Sequence, residues 1–220
     1  MRRFYESDGF RKRHDPRHAG NRYLFERRSR AILHALRDAG GLGAGTAYLE
    51  VGCERGAVMH VVEEAFGAAD RVFGVDLMQD WLADGRRARP GLRLACADAS
   101  RLPFADGAFD VVGQYMMLSS VTDREKRRAI GRELLRVVRP RGTIVSMDLR
   151  YPRVSPVGSV GVTRIELGSI FPGASIRYRT SGLLPPLARL LAPLSSRACD
   201  LLARLTILRA YHVASIRRLS

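Results

Sequence analysis

Lysine is almost absent from this chain of 220 residues, since Lys12 and Lys126 are the only two and arginine supplies nearly all of the positive charge. Cysteine is scarce as well, and its three positions, Cys53, Cys96 and Cys199, give an odd count without paired spacing. This pattern suits a reducing compartment, and it excludes a disulfide framework and a zinc site built from cysteine pairs. We therefore expect neither disulfides nor a bound metal.

Long apolar runs are missing too. No stretch reaches the ~18 apolar residues that would cross a bilayer, and residues 1–10 lack the apolar stretch of a signal peptide. These absences predict a cytoplasmic protein. Because 46% of the residues are hydrophobic, a chain of this length can bury one substantial core, which predicts a single domain.

The formal net charge of +15 is the strongest bias in the composition. Such a charge favours anionic partners such as nucleic acid, phosphorylated carriers or a membrane surface, although a solvated basic surface explains it equally well. The bias is greatest after Glu166, where Asp200 is the only acidic residue against eight arginines.

Seven short apolar runs have the length and composition of strands. They lie at residues 47–51, 71–75, 92–97, 109–114, 143–147, 174–180 and 209–217. The first five are separated by helical patterns, which implies right-handed βαβ units. One such helix is predicted at 124–138, stopped by Pro140 and Gly142. The fold class that follows is α/β, with a doubly wound, seven-stranded, mostly parallel sheet and helices on both faces.

The predicted domain, residues 1–220, has three parts. Residues 1–42 form an N-terminal arm and a lead-in helix that begins at Asn21, and residues 43–150 form the core. Residues 151–220 supply the last two strands and a basic, Leu-rich helical segment.

Within that last part, residues 183–208 are predicted to form either a helical wall over an acceptor site or a contact with an anionic membrane. The spacing of Arg189, Arg197 and Arg204 places them on one helical face, apart from the break at Pro193.

The first candidate site follows the first strand, in the run Glu50-Val-Gly-Cys-Glu-Arg-Gly56. Ligands of doubly wound sheets sit at the carboxyl ends of the strands. Gly52 and Gly56 permit a tight turn and close approach to a ligand, and Glu50 can accept a hydrogen bond from a cationic amine. A glycine turn without a ligand would have the same sequence.

Two further carboxylates follow the next two strands. Asp76 comes about 20 residues beyond the glycine turn, where a carboxylate grips the hydroxyls of a ribose. An ordinary helix-capping aspartate before Leu77 would look the same. Asp98, after the third strand, could accept a hydrogen bond from the exocyclic amine of adenine.

The order of these motifs resembles the class I S-adenosylmethionine-dependent methyltransferases. Besides the glycine turn and Asp76, the resemblance rests on Ala97-Asp-Ala-x-x-Leu-Pro-Phe104, on Gly107-x-Phe-Asp110 and on the turn Arg136-Val-Val-Arg-Pro-Arg-Gly142. It covers about residues 48–149, and four ordered motifs are far more specific than any one alone. It implies that the cofactor is S-adenosylmethionine, with S-adenosylhomocysteine as its product.

The resemblance also implies a role for each matching position. Glu50 and Gly52 would line the methionine moiety, Asp76 would hold the ribose, and Asp98 with Ala99 would meet the adenine. The full implied cofactor set is Glu50, Gly52, Cys53, Gly56, Asp76, Leu77, Asp98, Ala99, Gln114 and Tyr115. The last two would face the methionine end and the acceptor.

One departure from the family pattern stands in the glycine turn. Glu54 and Arg55 occupy positions where the family usually has a third glycine and a small hydroxyl residue. A side chain at position 54 restricts the backbone and adds negative charge near the cofactor.

The acceptor is predicted to be a small molecule, namely a hydroxyl of a secondary-metabolite, sugar or lipid-linked intermediate that could be anionic. Oxygen acceptors usually need a general base. Asp148 and Tyr151, after the fifth strand, are candidates, and His14 and His18 join them if the arm folds over the site. Asp148 could equally cap a loop, and both histidines could be solvated.

Three other functions compete with this prediction. The +15 charge and the basic arm favour an RNA methyltransferase, but enzymes that methylate a nucleobase amine tend to carry Asn or Asp, Pro-Pro and an aromatic residue after the fourth strand, where this chain has Gly113-Gln-Tyr-Met-Met117. A nicotinamide dehydrogenase needs Gly-x-Gly-x-x-Gly, and Glu54 interrupts that motif. A non-catalytic cofactor-binding protein is the third alternative, and the oligomeric state is open.

Overall fold

The computed structural model describes residues 15–40, 42–43, 45–67, 71–151 and 159–218. The strands of these residues are β1 (Tyr48–Val51), β2 (Val72–Asp76), β3 (Arg93–Cys96), β4 (Phe109–Tyr115), β5 (Val138–Leu149), β6 (Ser175–Leu183) and β7 (Arg209–Arg217). Their helices are α1 (Ala19–Asp38), α2 (Ala57–Phe66), α3 (Gln79–Ala88), α4 (Met117–Ser120), α5 (Arg124–Val137), α6 (Arg164–Ile170), α7 (Pro185–Leu191) and α8 (Ser196–Leu202), and a 3-10 turn follows at Thr206–Leu208.

The seven strands form one sheet with the order β3-β2-β1-β4-β5-β7-β6. The first five are parallel to one another. Strand β7 runs antiparallel to both of its neighbours, β5 and β6. The predicted seven-stranded, mostly parallel sheet is therefore confirmed. The chain reverses its direction of travel across the sheet between β1 and β4, which creates the crevice where doubly wound folds bind ligands.

Helices cover both faces of the sheet, as the sequence predicts. On one face, Ile32 of α1, Met59 of α2 and Leu82 of α3 belong to one buried apolar cluster. On the other face, Leu134 of α5 and Leu167 of α6 belong to a second cluster. Parallel strands need this double cover because their side chains are apolar on both faces.

Strand β5 begins earlier than predicted, at Val138 rather than at residue 143. Val138 pairs with Phe109 of β4, and the ladder then shifts register before it resumes between Thr143 and Val111. Arg141, inside the shifted stretch, has a φ of 62°. The residues that stop α5 thus form an irregular start of β5 rather than a separate loop.

Helix α1 begins at Ala19, two residues before the predicted Asn21. The imidazole of His18 caps it, because its Nδ1 atom accepts a hydrogen bond from the backbone N–H of Gly20 at 3.1 Å. Gly20 also lets α7 approach closely, since a Cβ atom at this position would lie 2.4 Å from the Cα atom of Arg189.

The Leu-rich segment forms two short helices, α7 and α8, rather than one. Pro193 lies in the turn between them. The Nε atom of Arg189 donates to Oδ1 of Asn21 at 2.9 Å, whereas Arg197 and Arg204 are exposed. The three arginines therefore do not share one helical face, because Arg189 and Arg197 stand on separate helices and Arg204 lies beyond the end of α8.

The longest described helix, α1, spans 20 residues and carries charges along its length. In the described part of the chain, no helix is both long enough and apolar enough to cross a membrane.

Candidate functional site

A cavity of about 390 Å³ opens at the carboxyl ends of β1, β2 and β4. It lies at the crevice between β1 and β4. The residues of the implied cofactor set that line it are Glu50, Gly52, Cys53, Asp76, Leu77, Asp98, Ala99 and Tyr115. The sheet therefore brings eight of the ten predicted positions to one cavity, and Gly56 and Gln114 stand behind it.

The glycine turn needs both of its predicted glycines. Gly52 has a φ of 80°, and a Cβ atom there would lie 2.7 Å from Cβ of Met117. Gly56 has a φ of 73° and immediately precedes α2, and a Cβ atom on it would lie 2.6 Å from Cδ1 of Leu92. Glycine is favoured at both positions because side chains rarely adopt positive φ.

Glu54, the departure from the family pattern, has a φ of 51°. Its backbone N–H donates to Oδ2 of Asp76 at 2.9 Å, which ties the turn to the end of β2. The backbone thus adopts the left-handed conformation that glycine favours, although the residue is a glutamate, at a strain of about 1 kcal/mol. The turn keeps a compact form and gains a carboxylate.

Glu50 ends up as a buried carboxyl group with an unused acceptor. The residue is 2% exposed, and its Oε2 atom has no hydrogen-bond partner among the described residues. Burial raises its pKa well above the ordinary value, and the carboxylates of Glu54 and Asp76 raise it further. A buried acceptor without a donor costs free energy, so this wall of the cavity favours a cationic donor.

The carboxylate of Asp76 is held from two sides. Its Oδ1 atom accepts from the backbone N–H of Met78 at 2.8 Å, and its Oδ2 atom accepts from that of Glu54. Each oxygen keeps a second lone pair that can accept a ligand hydroxyl. The neighbouring Leu77 is exposed and lines the cavity beside it.

Asp98 is fixed by a different set of donors. Its Oδ1 atom accepts from the backbone N–H and the hydroxyl of Ser100, and its Oδ2 atom accepts from Nζ of Lys126 at 3.1 Å. The Ser100 hydrogen bonds, and after them Lys126, hold the pKa of Asp98 below its usual value despite partial burial. Ala99 lines the cavity next to this ion pair.

Behind the cavity, Gln114 belongs to a buried polar network. Its Nε2 atom donates to Ser146 and to Asp148, and its Oε1 atom accepts from the backbone N–H of Leu118 at 3.2 Å. Ser119 donates to Asp148 through its backbone N–H and its hydroxyl, both at 2.9 Å. The network fixes the start of α4, which borders the cavity.

The family model described as a methyltransferase domain matches residues 49–146, the stretch that contains the glycine turn and both cavity carboxylates. The match confirms, for this segment, the resemblance to the class I S-adenosylmethionine-dependent methyltransferases that the sequence motifs indicate.

Curated relatives match the methyltransferase segment at moderate identity. The demethylmenaquinone methyltransferase of Beutenbergia cavernae is 38% identical over 85 residues, which cover 39% of this chain and 34% of that protein. The 2-methyl-6-phytyl-1,4-hydroquinone methyltransferase of a Synechocystis strain is 31% identical over 123 residues, which cover 53% of this chain and 37% of that protein. The chain thus spans a third to a half of the length of the curated relatives it matches.

A solved structure matches the fold along the whole chain. The N-methyltransferase NodS from Bradyrhizobium japonicum, in complex with S-adenosylhomocysteine, has a TM-score of 0.70 and 15% identity, and the match covers 100% of this chain and 96% of that one. At this identity the likeness shows the fold alone.

The predicted bases do not meet at the cavity of the methyltransferase segment. Asp148 is 2% exposed and lies in the buried network, outside the cavity lining. The hydroxyl of Tyr151 donates to the backbone carbonyl of Ile207, and Tyr151 does not line the cavity either. His14 lies outside the described residues, and His18 caps α1.

Helix α1 contributes to the cavity although the sequence assigned it no role there. Phe25, Arg28, Ser29 and Ile32 all belong to the lining. The guanidinium of Arg28 is half-buried, and it lies 6.0 Å from the centre of the Tyr211 ring. It is a cation that could meet a carboxylate on a ligand.

Trp81 also lines the cavity, although its sequence position did not predict this. It stands in α3, and the guanidinium of Arg55 lies 5.2 Å from the centre of its ring. The Nε atom of Arg55 also donates to Asp84 at 3.2 Å. These contacts hold Arg55 and Trp81, which both line the cavity.

Three further observations bear on the sequence predictions. Burial raises the pKa of the Cys53 thiol. In the described ranges, no group of three or more His, Cys, Asp or Glu residues could hold a metal ion. None of residues 183–208 lines the cavity, so the predicted helical wall over the acceptor site is not seen.

Proposed function

We propose that the protein binds S-adenosylmethionine in this cavity and transfers its methyl group to a small, largely apolar acceptor. The observation that carries the proposal is the buried carboxyl group of Glu50, whose Oε2 atom lacks a donor in the cavity wall. S-adenosylmethionine carries an ammonium group and a sulfonium group, and both suit a cavity whose lining includes the four carboxyl side chains of Glu50, Glu54, Asp76 and Asp98.

The chain's own residues supply the contacts that the cofactor needs. Glu50 would accept from the ammonium group, Asp76 from the ribose hydroxyls, and Asp98 from the adenine amine. Arg28 is a candidate partner for the carboxylate of the methionine moiety, because it is a cation that lines the same cavity.

When bound, S-adenosylmethionine supplies a methyl group that its sulfonium already activates. The main task of the protein is then to hold the acceptor in line and to exclude water, which can lower the barrier by several kcal/mol. No side chain has to act as a nucleophile.

Part of the cavity lining is apolar, and we assign this part to the acceptor. It includes Met117, Val121, Ile130 and Met147. The two curated relatives named above are methyltransferases of demethylmenaquinone and of a phytyl hydroquinone. These observations support a ring compound with an apolar tail as the acceptor class.

A hydroxyl as the acceptor group stays a prediction, and so does its base. Asp148 is held by donors from Gln114 and Ser119 behind the cavity, which suits a positioning role for α4 better than proton removal. In this proposal residues 43–150 hold the cofactor, and the described part of 151–220 completes the sheet beside the acceptor.

Calorimetric titration with S-adenosylhomocysteine tests the proposal first. We expect binding by the unsubstituted chain and at least tenfold weaker binding by Asp76→Ala, which loses charged hydrogen bonds. Asp80→Ala is the matched control, because it removes a carboxylate from the first turn of α3, outside the cavity lining. Absence of binding by the unsubstituted chain would overturn the proposal.

Methyl transfer is measured separately, with labelled S-adenosylmethionine and hydroquinones that carry isoprenoid tails. We expect label in the acceptor, and none with Asp76→Ala. Binding of S-adenosylhomocysteine without transfer to any acceptor would favour the non-catalytic alternative instead.

An RNA acceptor is the second candidate, and the +15 charge favours it. It predicts label in structured RNA and binding that weakens steeply with added salt. Label in the apolar acceptor but not in RNA would exclude this candidate.

A further inference from the structure

The connection between β6 and β7 lies at the same edge of the sheet as the cavity. In the antiparallel ladders, Leu183 at the end of β6 pairs with Arg209 at the start of β7, and Tyr211 pairs with Leu149 at the end of β5. The connection is therefore at the carboxyl ends of the parallel strands, where the cavity opens.

This connection also presents most of the exposed large apolar side chains. Five of the seven in the described residues lie in it, each between 54% and 83% exposed: Leu190, Leu194, Leu201, Leu205 and Ile207. Of the other two, Leu77 lines the cavity and Ile165 stands alone on α6. Exposed apolar groups that cluster in this way mark an interaction site rather than ordinary surface.

The inward-facing apolar side chains of the same connection already pack against the rest of the protein. Leu187, Leu191 and Leu202 pack against a buried cluster that contains Tyr23 and Leu24 of α1. The outward leucines are thus not part of the core, and the two short helices have apolar groups on both sides.

Charge identifies the partner. Arg197 and Arg204 are exposed among the outward leucines. The only acidic residue of the connection, Asp200, accepts from Nη2 of Arg27 at 2.5 Å and from the hydroxyl of Tyr23 at 2.9 Å. Its charge is therefore compensated toward α1, and the outward surface is apolar and basic.

We propose that this apolar-basic surface, formed by the five leucine and isoleucine residues with Arg197 and Arg204, docks the protein on an anionic lipid bilayer. Apolar side chains that insert at the headgroup boundary and arginines that meet anionic lipids are the two elements of such binding. Docking would bring the carboxyl edge of the sheet, and the cavity with it, to the membrane.

The loop after β5 connects this surface to the edge of the sheet. Nη1 of Arg150 donates to the carbonyl of Thr206, and the hydroxyl of Tyr151 donates to that of Ile207. The surface is thus held in place relative to β5 by specific hydrogen bonds.

Vesicle flotation tests the proposal without any assay of methyl transfer. The probes are vesicles of phosphatidylcholine that contain phosphatidylglycerol, and vesicles of phosphatidylcholine alone, at physiological salt. We expect the unsubstituted chain to float with the anionic vesicles and to bind the neutral ones much more weakly. No flotation with the anionic vesicles would overturn the proposal.

Two sets of variants separate the apolar and the charged contributions. We expect the triple variant L194Q/L201Q/I207Q to bind at least tenfold more weakly, because it removes three inserting side chains. We expect R197Q/R204Q to bind anionic vesicles about tenfold more weakly and neutral vesicles unchanged. All five positions are exposed, so folding is retained, which circular dichroism checks.

The controls change the same chemistry elsewhere. Ile165→Gln removes an apolar side chain that is 89% exposed on α6, and R124Q/R132Q removes two exposed arginines of α5. Equal loss of binding in these controls would overturn the proposal. So would a dimer in light scattering that dissociates in the triple variant, since a second copy would then cover the surface.

Discussion

Two regions of the molecule differ in which charge they bury and which they expose. They are the methyltransferase segment, residues 49–146, and the C-terminal region, residues 159–218. The first has its carboxylates inside, around Glu50 in the cavity wall. The second has arginines outside, on a surface that also exposes apolar side chains. Under the two proposals above, the regions therefore face different partners, a cationic small molecule inside and an anionic surface outside.

The largest effect should come from the ion pair that joins the two regions. Arg127 of α5 is 1% exposed, and its Nη1 atom donates to Glu166 of α6 at 2.6 Å. It also donates to the backbone carbonyls of Val121 and Val160. We expect Arg127→Ala to lower the free energy of unfolding by about 3–5 kcal/mol, because it leaves a partly buried carboxylate unpaired. Urea denaturation measures this loss.

Arg128→Ala is the neighbouring control. Arg128 pairs with Glu125 on the exposed side of α5, so its removal should cost about 0–1 kcal/mol. Equal losses for the two variants would mean that Arg127 does not join the regions.

The next effect concerns the seam between β5 and β7, where Asp148 and His212 are register partners. Burial raises the pKa of Asp148 to about 6, so its contribution to stability falls as the pH rises from about 4 to 6. Burial lowers the pKa of His212 to about 4, and the charges of Arg164 and Arg150 add to this shift. The contribution of His212 to stability therefore rises as the pH rises from about 4 to 6.5.

Removing each group should therefore change the pH dependence in opposite directions. The quantity compared is the free energy of unfolding of each variant minus that of the unsubstituted chain. For Asp148→Asn this difference should rise by about 2 kcal/mol as the pH rises from 4 to 6. For His212→Gln it should fall by a comparable or smaller amount as the pH rises from 4 to 6.5. Denaturant unfolding at a series of pH values measures both. Parallel curves for all three proteins would show that neither group titrates in this window.

A smaller change in stability should distinguish Gly52 of the methyltransferase segment from Gly168 of the C-terminal region. Gly52→Ala should lose about 1–2 kcal/mol, because position 52 has a φ of 80° and the new Cβ atom would meet Met117. Gly168 of α6 has open space around its Cβ position, so Gly168→Ala should gain about 0.5–1 kcal/mol. Thermal unfolding of the two variants compares them, and a loss at both positions would contradict this account of the turn.

The sequence predicted the sheet and the strand-end residues of the site because both depend on local patterns. Alternation of strands with helices determines a parallel sheet, and its strand ends then place Glu50, Asp76 and Asp98 together. The irregular start of β5 was missed because the pattern at Pro140 and Gly142 indicates only that a helix stops.

Contacts between distant elements could not be predicted in this way. The periodicity of α1 shows an apolar face, but it does not show that Arg28 reaches the cavity. Lys126 stands far from Asp98 in sequence, and only the packing of α5 brings the two together. The sequence did set Lys126 apart in one way. It is one of only two lysines in a chain whose other positively charged residues are arginines.

The base candidates show the same limit. Asp148 lies near the end of β5, as an acceptor-site residue would, but its side chain lies on the α5 face of the sheet with Ser146 and Gln114. Which of the two faces a strand-end residue occupies depends on register, and a shift of one residue reverses it.

The most direct test of the central claim is calorimetric titration of S-adenosylhomocysteine into the unsubstituted chain and into Glu50→Gln. The substitution keeps the shape of the side chain and removes a buried carboxyl group whose Oε2 atom has no donor among the described residues. We predict a tenfold to hundredfold loss of affinity, on the order of a charged hydrogen bond, together with an unchanged or higher melting temperature. Equal affinity in the two proteins would contradict the claim that Glu50 binds the cationic group of the ligand.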